Sequence, residues 1–400
     1  EIKIGAILRS KQSIIVGDPM QLPPTNFFSA GTSEDDIEDD NESILDLALS
    51  RYQPMRMLRW HYRSKSESLI NFSNYYFYDN KLIIPPSPNA EFAVKNNYVD
   101  KALYQARVKD NLAGEKKSKG GVNVLEASKI SDGVINFMKE CFKKKEMKSC
   151  LVVTMNNNQR DLIDEEIRLK SHKISEVDDY IAHFEASTEP FTVKNLENVQ
   201  GDERDTIFIS TLFGPDKDKN VRQRFGPIVN ANGYRRLNVL FTRAKERIEL
   251  YTSMRANDIT EGGERGKQIL KSYLEYAATQ KLDTGIITSR DTDSDFEDWV
   301  KEELEKLGYQ VYPQVGVGGF RIDLGIKHSK YPGYIAGIEC DGAAYHSSVS
   351  ARDNDIVRQK ILEGLGWNIY RIWSTNWFKN PQAELVKLDG YLKSLIKNQT

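Results

Sequence analysis

Three acidic residues, Asp323, Glu339 and Asp341, have the spacing in this 400-residue sequence that most directly implies chemistry. Asp323 stands in Phe320-Arg321-Ile322-Asp323-Leu324-Gly325-Ile326, and the other two in Gly337-Ile338-Glu339-Cys340-Asp341-Gly342. Side chains alternate faces along a strand, so Ile322, Leu324 and Ile326 are expected to point one way and Asp323 the other. Glu339 and Asp341 then share a face, opposite Ile338 and Cys340. A turn through His328 to Gly333 folds the two strands together and brings three carboxylates to one sheet edge. Like charges that close are unfavourable unless a hard cation sits among them, which points to an oxygen-rich Mg2+ or Mn2+ site. Any one of these acids also reads as an ordinary outward-facing strand residue, but alternation with apolar neighbours in two successive strands argues against that for the set.

Four further clusters lie in the first 280 residues: Gly17-Asp18-Pro19-Met20-Gln21-Leu22-Pro23-Pro24, Trp60-His61-Tyr62-Arg63, Val199-Gln200-Gly201-Asp202-Glu203-Arg204-Asp205, and Arg236-Leu237-Asn238-Val239-Leu240-Phe241-Thr242-Arg243-Ala244. Singly, each has a bland reading, since Gly-Asp-Pro is a common turn and an isolated Arg usually covers a surface. Together and in this order they resemble motifs III, IV, V and VI of superfamily 1 helicases, over roughly residues 1–255. Four clusters in the correct order are a specific signal.

The resemblance implies phosphoryl transfer between two RecA-like lobes, where guanidinium groups neutralise charge developing on the γ-phosphate of ATP. It implies that Arg63 and Arg243 are the second-lobe arginines that reach that phosphate. Gln21 resembles the motif III glutamine that senses it and relays lobe closure. Gln200, Gly201 and Glu203 resemble motif V, whose polar residues touch nucleotide or nucleic acid. A complete ATPase also needs a Walker A loop and acidic Walker B residues. Neither is found here; the Gly-rich run at 262–267 is followed by Gln268 rather than Ser or Thr and lies after motif VI. The sequence therefore reads as the C-terminal portion of a larger protein, with Walker A and B supplied by a preceding portion or a partner chain.

Residues 293–378 resemble the PD-(D/E)xK nuclease fold, and more closely its branch similar to very-short-patch repair endonucleases. The resemblance rests on the acidic residues above together with Glu339-Cys-Asp-Gly-Ala-Ala-Tyr-His346 and Arg371-Ile-Trp-Ser-Thr-Asn-Trp-Phe378. It implies a metal that polarises the scissile phosphate and lowers the pKa of the attacking water, with Asp323 and Glu339 as ligands. The usual Lys two positions after the Glu is Asp341 here, which leaves the base or transition-state cation open. His346 reads either as general base or leaving-group donor, as in that branch, or as a structural histidine. Glu297 resembles the acid on the fold's first helix, yet Ser294-x-x-Glu297 also reads as a capping box. Arg352 and Arg358 either hold phosphates or cover a helix, and Gln314 either orients water or ends a strand.

The elements that must position these residues are legible as an α/β pattern. Ile14-Ile15-Val16 reads as a buried strand ending at Gly17-Asp18. Helices are expected over 125–145, 157–170 and 264–279, and strands at 151–154, 206–210 and 248–251, an alternation that argues for a parallel sheet. Residues 34–42 hold seven acidic side chains and read as a solvated loop, and 89–120 as an irregular insertion. After a linker at 281–293, helix 295–307, strands at 309–314, 320–326 and 334–341, a helix near 354–365, a strand from Trp367 to Trp373 and a helix near 381–397 give an αβββαβ order with a closing helix. The expected domains are the end of a first RecA-like lobe (1–57), a second RecA-like lobe (58–280) and a restriction-endonuclease-like domain (294–400).

Composition limits the alternatives. With 39% hydrophobic residues the chain can build two or three cores, and no run approaches the roughly 18 apolar residues of a membrane span. Three cysteines without a CxxC argue for a reducing cytoplasmic setting rather than a disulfide framework. The formal net charge of −2 neither excludes nor announces a nucleic-acid surface. The expectation is the C-terminal part of an ATP-dependent DNA helicase–nuclease, acting on single-stranded or forked DNA with ATP and Mg2+ or Mn2+, in antiphage defence or DNA repair. A remodeller with an inactive nuclease fold and an RNA helicase are the alternatives.

Overall fold

The computed structural model describes residues 2–22, 44–52, 54–89, 91–106, 121–282, 292, 294–317, 320–341 and 349–398. The chain divides into two compact units. The first comprises Glu1–Leu58, Tyr76–Tyr78 and Val94–Lys281, and the second Arg59–Tyr75, Asp79–Ala93 and Leu282–Thr400.

In chain order the elements up to residue 281 are α1 (Ile2–Arg9), α2 (Ile44–Arg51), α3 (Asn71–Tyr78), β1 (Val94–Tyr98), α4 (Val124–Lys144), β2 (Cys150–Thr154), α5 (Asn157–Ser171), α6 (Ser175–Glu185), β3 (Thr192–Asn195), β4 (Arg204–Ser210), α7 (Tyr234–Phe241), β5 (Ala244–Thr252) and α8 (Arg265–Thr279). The five strands form a wholly parallel sheet in the order β1-β5-β4-β2-β3. All five residues of β2 are buried, as are the last five of β5, the signature of a parallel strand covered on both faces. Ala127, Ile130, Val134 and Met138 of α4 pack with Ile163 and Ile167 of α5, Val177 and Tyr180 of α6, and Phe208 of β4. Gly133 lets α4 come this close: a Cβ there would stand 2.0 Å from the Tyr251 hydroxyl. This is the expected RecA-like arrangement of a parallel sheet between helices.

The second unit contains α9 (Asp295–Lys306), β6 (Gln310–Val315), β7 (Ile322–Lys327), β8 (Tyr334–Asp341), α10 (Val349–Gly364), β9 (Ile369–Trp373), α11 (Ser374–Lys379) and α12 (Pro381–Asn398). Its sheet runs β6-β7-β8-β9, antiparallel until the last pair, which is parallel. Phe296, Val300 and Leu304 of α9 and Leu385, Leu388 and Leu392 of α12 close over Leu324, Ile326, Ile338 and Trp377. The αβββαβ order with a closing helix is therefore present, as expected for a restriction-endonuclease-like fold.

Four expectations are corrected. Ile14-Ile15-Val16 forms no strand, and Ile14 and Val16 are 82% and 78% exposed. A strand exists only beside a partner, and among the described residues none pairs with this run. Val94–Tyr98, within the segment read as irregular, is an edge strand on β5. Its polar sequence, Val-Lys-Asn-Asn-Tyr, suits an edge. Residues 59–75 and 79–93, assigned by sequence to the second lobe, pack in the second unit. There Trp60 meets Phe320 edge-on at 5.5 Å, the indole of buried Trp367 donates to the Pro86 carbonyl at 2.8 Å, and Tyr334 N donates to Pro88 O. A buried indole N–H needs an acceptor, and the proline-rich strap supplies it. Finally, Ile322 joins a cluster with Val315, Phe320, Leu362 and Trp367 rather than the one holding Leu324 and Ile326.

Candidate functional site

In the first unit the Gly17–Leu22 turn is built around one carboxylate. Asp18 Oδ1 accepts from Met20 N at 2.9 Å, the turn chemistry of an Asx residue, and Oδ2 accepts from Gln21 Nε2 at 2.9 Å and from the Tyr78 hydroxyl at 2.6 Å. Asn238, on α7, donates from Nδ2 to that hydroxyl and to Met20 O, both at 2.9 Å. Gln200 Nε2 reaches Leu22 O at 2.9 Å. The structure thus joins three of the sequence clusters, those around Gln21, Gln200 and Arg243. Burial, then the Asp18 charge, push the Tyr78 phenol well above its ordinary range, so it donates at every physiological pH. Tyr78 was not singled out by sequence, although Asn238 lay inside a recognised cluster. Replacing Tyr78 by Phe leaves Asp18 and Asn238 each short of a partner. It is expected to cost the chain about 1–2 kcal/mol, read as a lowered midpoint in urea unfolding; an unchanged midpoint would refute the bridging role.

Gly201 has φ +90, a conformation that only glycine adopts without strain. Arg243 is 3% exposed: its Nε donates to Val239 O at 2.8 Å, Nη1 to Asp202 O at 3.3 Å and Nη2 to Thr242 Oγ1 at 3.1 Å. A role at a γ-phosphate requires these bonds to be exchanged. Glu203 is half-buried in the loop before β4. Arg63 belongs to the second unit, where its neighbour His61 bonds Ser64 Oγ at 2.9 Å and is pushed down to about 4 by burial and by the Arg63 charge.

A second polar constellation was missed by sequence. At the C-terminal ends of β2, β4 and β5, where open α/β sheets place their ligands, Asn123, Glu126, Gln159, Ser210 and Ser253 form a buried network. Glu126 Oε1 accepts from Ser210 Oγ and Leu212 N, each at 2.7 Å, and Oε2 accepts from Ser253 Oγ at 3.3 Å. Asn123 caps α4 with its Oδ1 and donates to Ser253 Oγ at 2.8 Å, while Gln159 bonds the Asn123 backbone. Leu212 is held at φ +65, a strained backbone for a branched residue. Burial pushes the Glu126 carboxyl up to about 7.

In the second unit, β7 supplies Asp323 and β8 supplies Glu339 and Asp341. Asp323 Oδ2 accepts from Cys340 N at 2.7 Å. Burial, and then the facing Glu339 carboxylate, push Asp323 up to about 7, and burial raises Glu339 as well. The expected third member departs. Asp341 Oδ2 lies 3.0 Å from Arg371 Nε on β9, an ion pair too bent to be a hydrogen bond. The cause is register: parallel β9 places Arg371 opposite Glu339, one step from Asp341 on the same face. Among the described residues no three His, Cys, Asp or Glu side chains stand close enough to share one ion. The three-carboxylate cluster expected from alternation is corrected to a facing pair, Asp323 and Glu339.

Glu297 is buried at the start of α9, where it takes part in the cap. Ser294 Oγ accepts from Glu297 N at 3.3 Å and donates to its Oε1 at 3.1 Å, a cap, while Gln314 Nε2 donates to Oε2 at 3.0 Å. Gln314 has φ +50 and lies between Pro313 and Val315, which pair with Leu324 and Ile322 on either side of Asp323, and the Glu297 charge adds to the upward push on Asp323. Arg358 of α10 lies 3.1 Å from Glu339 Oε1. His346 lies outside the described residues, and the side chain of Arg352 is not described. Cys141, Cys150 and Cys340 are free thiols.

Comparison with known proteins agrees with both halves. Residues 41–254 match the AAA_12 family, described as an AAA domain, and residues 296–392 match the REase_MTES_1575 family. A Mycoplasma pneumoniae protein named "Uncharacterized ATP-dependent helicase MG140 homolog" is 30% identical over 98% of this chain, and the Mycoplasma genitalium protein named "Uncharacterized ATP-dependent helicase MG140" is 29% identical over the same share. The chain spans 35% of the length of each. Among the described residues no helix is long and apolar enough to cross a membrane. By the extent of the first match, the chain belongs to the AAA_12 family of helicase-type AAA domains, here followed by a restriction-endonuclease-like domain.

Proposed function

We propose that this chain is the C-terminal part of an ATP-dependent DNA helicase that cuts DNA with its last domain. The observation that carries the nuclease reading is the buried Asp323–Glu339 pair on the two inner strands, β7 and β8, of a restriction-endonuclease-like sheet, with the Glu339 charge pushing Asp323 upward. Two facing carboxylates in low dielectric, one already accepting the Cys340 amide, form an all-oxygen donor set that suits a hard divalent ion, Mg2+ or Mn2+. When bound, such an ion lowers the pKa of an attacking water and polarises the phosphate. Asp323 and Glu339 hold it; Glu297 and Gln314 support the face beside Asp323; Arg371 keeps Asp341 in place. Asp341 and His346 remain proposed participants in proton transfer.

On the helicase side, Gln21, Gln200, Gly201, Glu203, Arg63 and Arg243 take the nucleotide roles the resemblance implies, with ATP as cofactor. Support comes from the bonded contact of the Gln21, Gln200 and Asn238 segments. The Walker A and B residues come from the portion that the longer relatives carry, or from a partner chain. DNA is the proposed substrate, single-stranded or forked, with a cytoplasmic role in antiphage defence or repair.

The test is nicking of supercoiled plasmid by the whole chain across Mg2+, Mn2+, Ca2+ and chelator, with an RNA of matched length alongside. Cleavage of DNA in Mg2+ or Mn2+ and its loss in chelator is expected. Absence of cleavage in either metal sinks the nuclease reading and leaves a nucleic-acid remodeller. The substitution of Asp341 for the usual Lys is the observation that favours that second reading.

A further inference from the structure

Arg358 reaches the acidic pair from α10. One of its terminal nitrogens, Nη2, lies 3.1 and 3.4 Å from the two Glu339 oxygens and also donates to Arg321 O. Its guanidinium carbon stands 4.3 Å from the centre of the Phe320 ring. Phe320 is buried, so the ring steadies the plane of the fork. The Arg358 side chain is 29% exposed and that of Glu339 only 10%. All the hydrogen bonds found for this fork among the described residues use Nη2. A planar cation that is partly exposed and spends one terminal nitrogen on a buried carboxylate has donors left with which to bridge that carboxylate and an anion.

We propose that Arg358 is the cation of this site, holding Glu339 as its counter-ion in the metal-free chain and passing to a non-bridging oxygen of the scissile phosphate when a divalent ion takes Glu339. The inference rests on the nuclease reading. It gives the site the positive group that Asp341 cannot provide, since Asp341 is itself an acid paired with Arg371. In the overall step one water is consumed: its oxygen bonds to phosphorus, the bond from phosphorus to the leaving oxygen breaks with its electron pair, and that oxygen ends protonated. Arg358 exchanges no proton and acts by charge alone.

Two cations that use one carboxylate are negatively coupled, and coupling is reciprocal. Removing Arg358 therefore has opposite effects on metal binding and on cutting, which a merely structural residue would not produce. In the whole chain, Arg358→Met keeps the stem against Phe320 and removes the charge. It is expected to bind Mn2+, titrated alone and followed by the signal of the free ion, about 5-fold more tightly or better. At saturating Mn2+ it is expected to cut plasmid about 100-fold more slowly. Arg358→Lys, which restores a charge without the fork, is expected to return Mn2+ affinity toward that of the parent and to recover part of the rate. Unchanged or weaker Mn2+ binding in Arg358→Met overturns the counter-ion role. A parent chain that cuts, with Arg358→Met cutting equally well, overturns the phosphate role and spares the nuclease reading. A parent that binds Mn2+ without cutting sinks that reading together with the phosphate role, and the affinity comparison still decides the counter-ion role.

Discussion

Plasmid cleavage by Asp323→Ala and by Glu339→Ala is expected to fall by about 1000-fold at saturating Mn2+, equivalent to about 4 kcal/mol of lost transition-state stabilisation. The size follows from the facing pair: each acid supplies half of the oxygen donors that the described geometry offers, so removing one leaves a divalent ion with a single carboxylate. The same geometry separates this site from a three-acid one. Asp341 is held by Arg371, so Asp341→Asn is expected to slow cutting by less than about 10-fold, whereas three equivalent ligands would make all three substitutions alike. Circular dichroism and duplex binding in chelator serve as controls, and both are expected to match the parent. Cleavage of Asp323→Ala within tenfold of the parent would remove the pair from the chemistry.

Urea unfolding of Glu126→Gln carries the second large effect. The carboxyl of Glu126 is raised from its ordinary value of 4.5 to about 7 by burial. A carboxyl that is harder to ionise in the folded chain than in the unfolded one favours folding fully below about pH 4.5. That contribution is lost as pH rises through 7, because the unfolded chain then releases the proton freely. The group's share of stability thus falls by about 3 kcal/mol between pH 4.5 and 8. Glutamine keeps an oxygen for Ser210 Oγ and Leu212 N, places an amide where Oε2 accepts from Ser253 Oγ, and cannot ionise, so the stability of the variant relative to the parent is expected to rise by about 3 kcal/mol between pH 4.5 and pH 8, on top of a pH-independent cost of the amide facing Ser253. A difference independent of pH would mean that the carboxyl ionises as easily inside as outside.

Much of both folds was legible because burial writes itself into composition. β2 and the Ile207–Ile209 stretch of β4 are apolar runs, and α4, α5, α9 and α12 show apolar stripes at helical spacing. What escaped notice are the elements whose neighbours make them. β1 and β3, with Val-Lys-Asn-Asn-Tyr and Thr-Val-Lys-Asn, sit at the sheet's edges and carry polar side chains that read as loop. The reverse error at Ile14–Val16 has the same root, because an apolar run specifies a strand only where another strand lies beside it.

At the candidate nuclease site, the sequence brings Asp323 and Glu339 near each other by strand pairing, but the pairing of Asp341 with Arg371 depends on the register of β9, a long-range choice invisible in the local sequence. Gln314 at φ +50 and Leu212 at φ +65 are equally silent, for neither residue type advertises a left-handed backbone. Asn238 and Tyr78 meet across 160 positions, a distance no local pattern encodes.

The bond from the Trp367 indole to Pro86 O spans 281 positions and sets the order in which the molecule can be made. During synthesis residues 59–93 emerge long before their partners, and must wait, solvated, until Phe320 and Trp367 have left the ribosome. The delay costs little in closure entropy, which grows only with the logarithm of loop length, but it favours folding of the intervening parallel sheet first. A fragment cut at residue 290 would be born without its strap, with Trp367 and Phe320 uncovered.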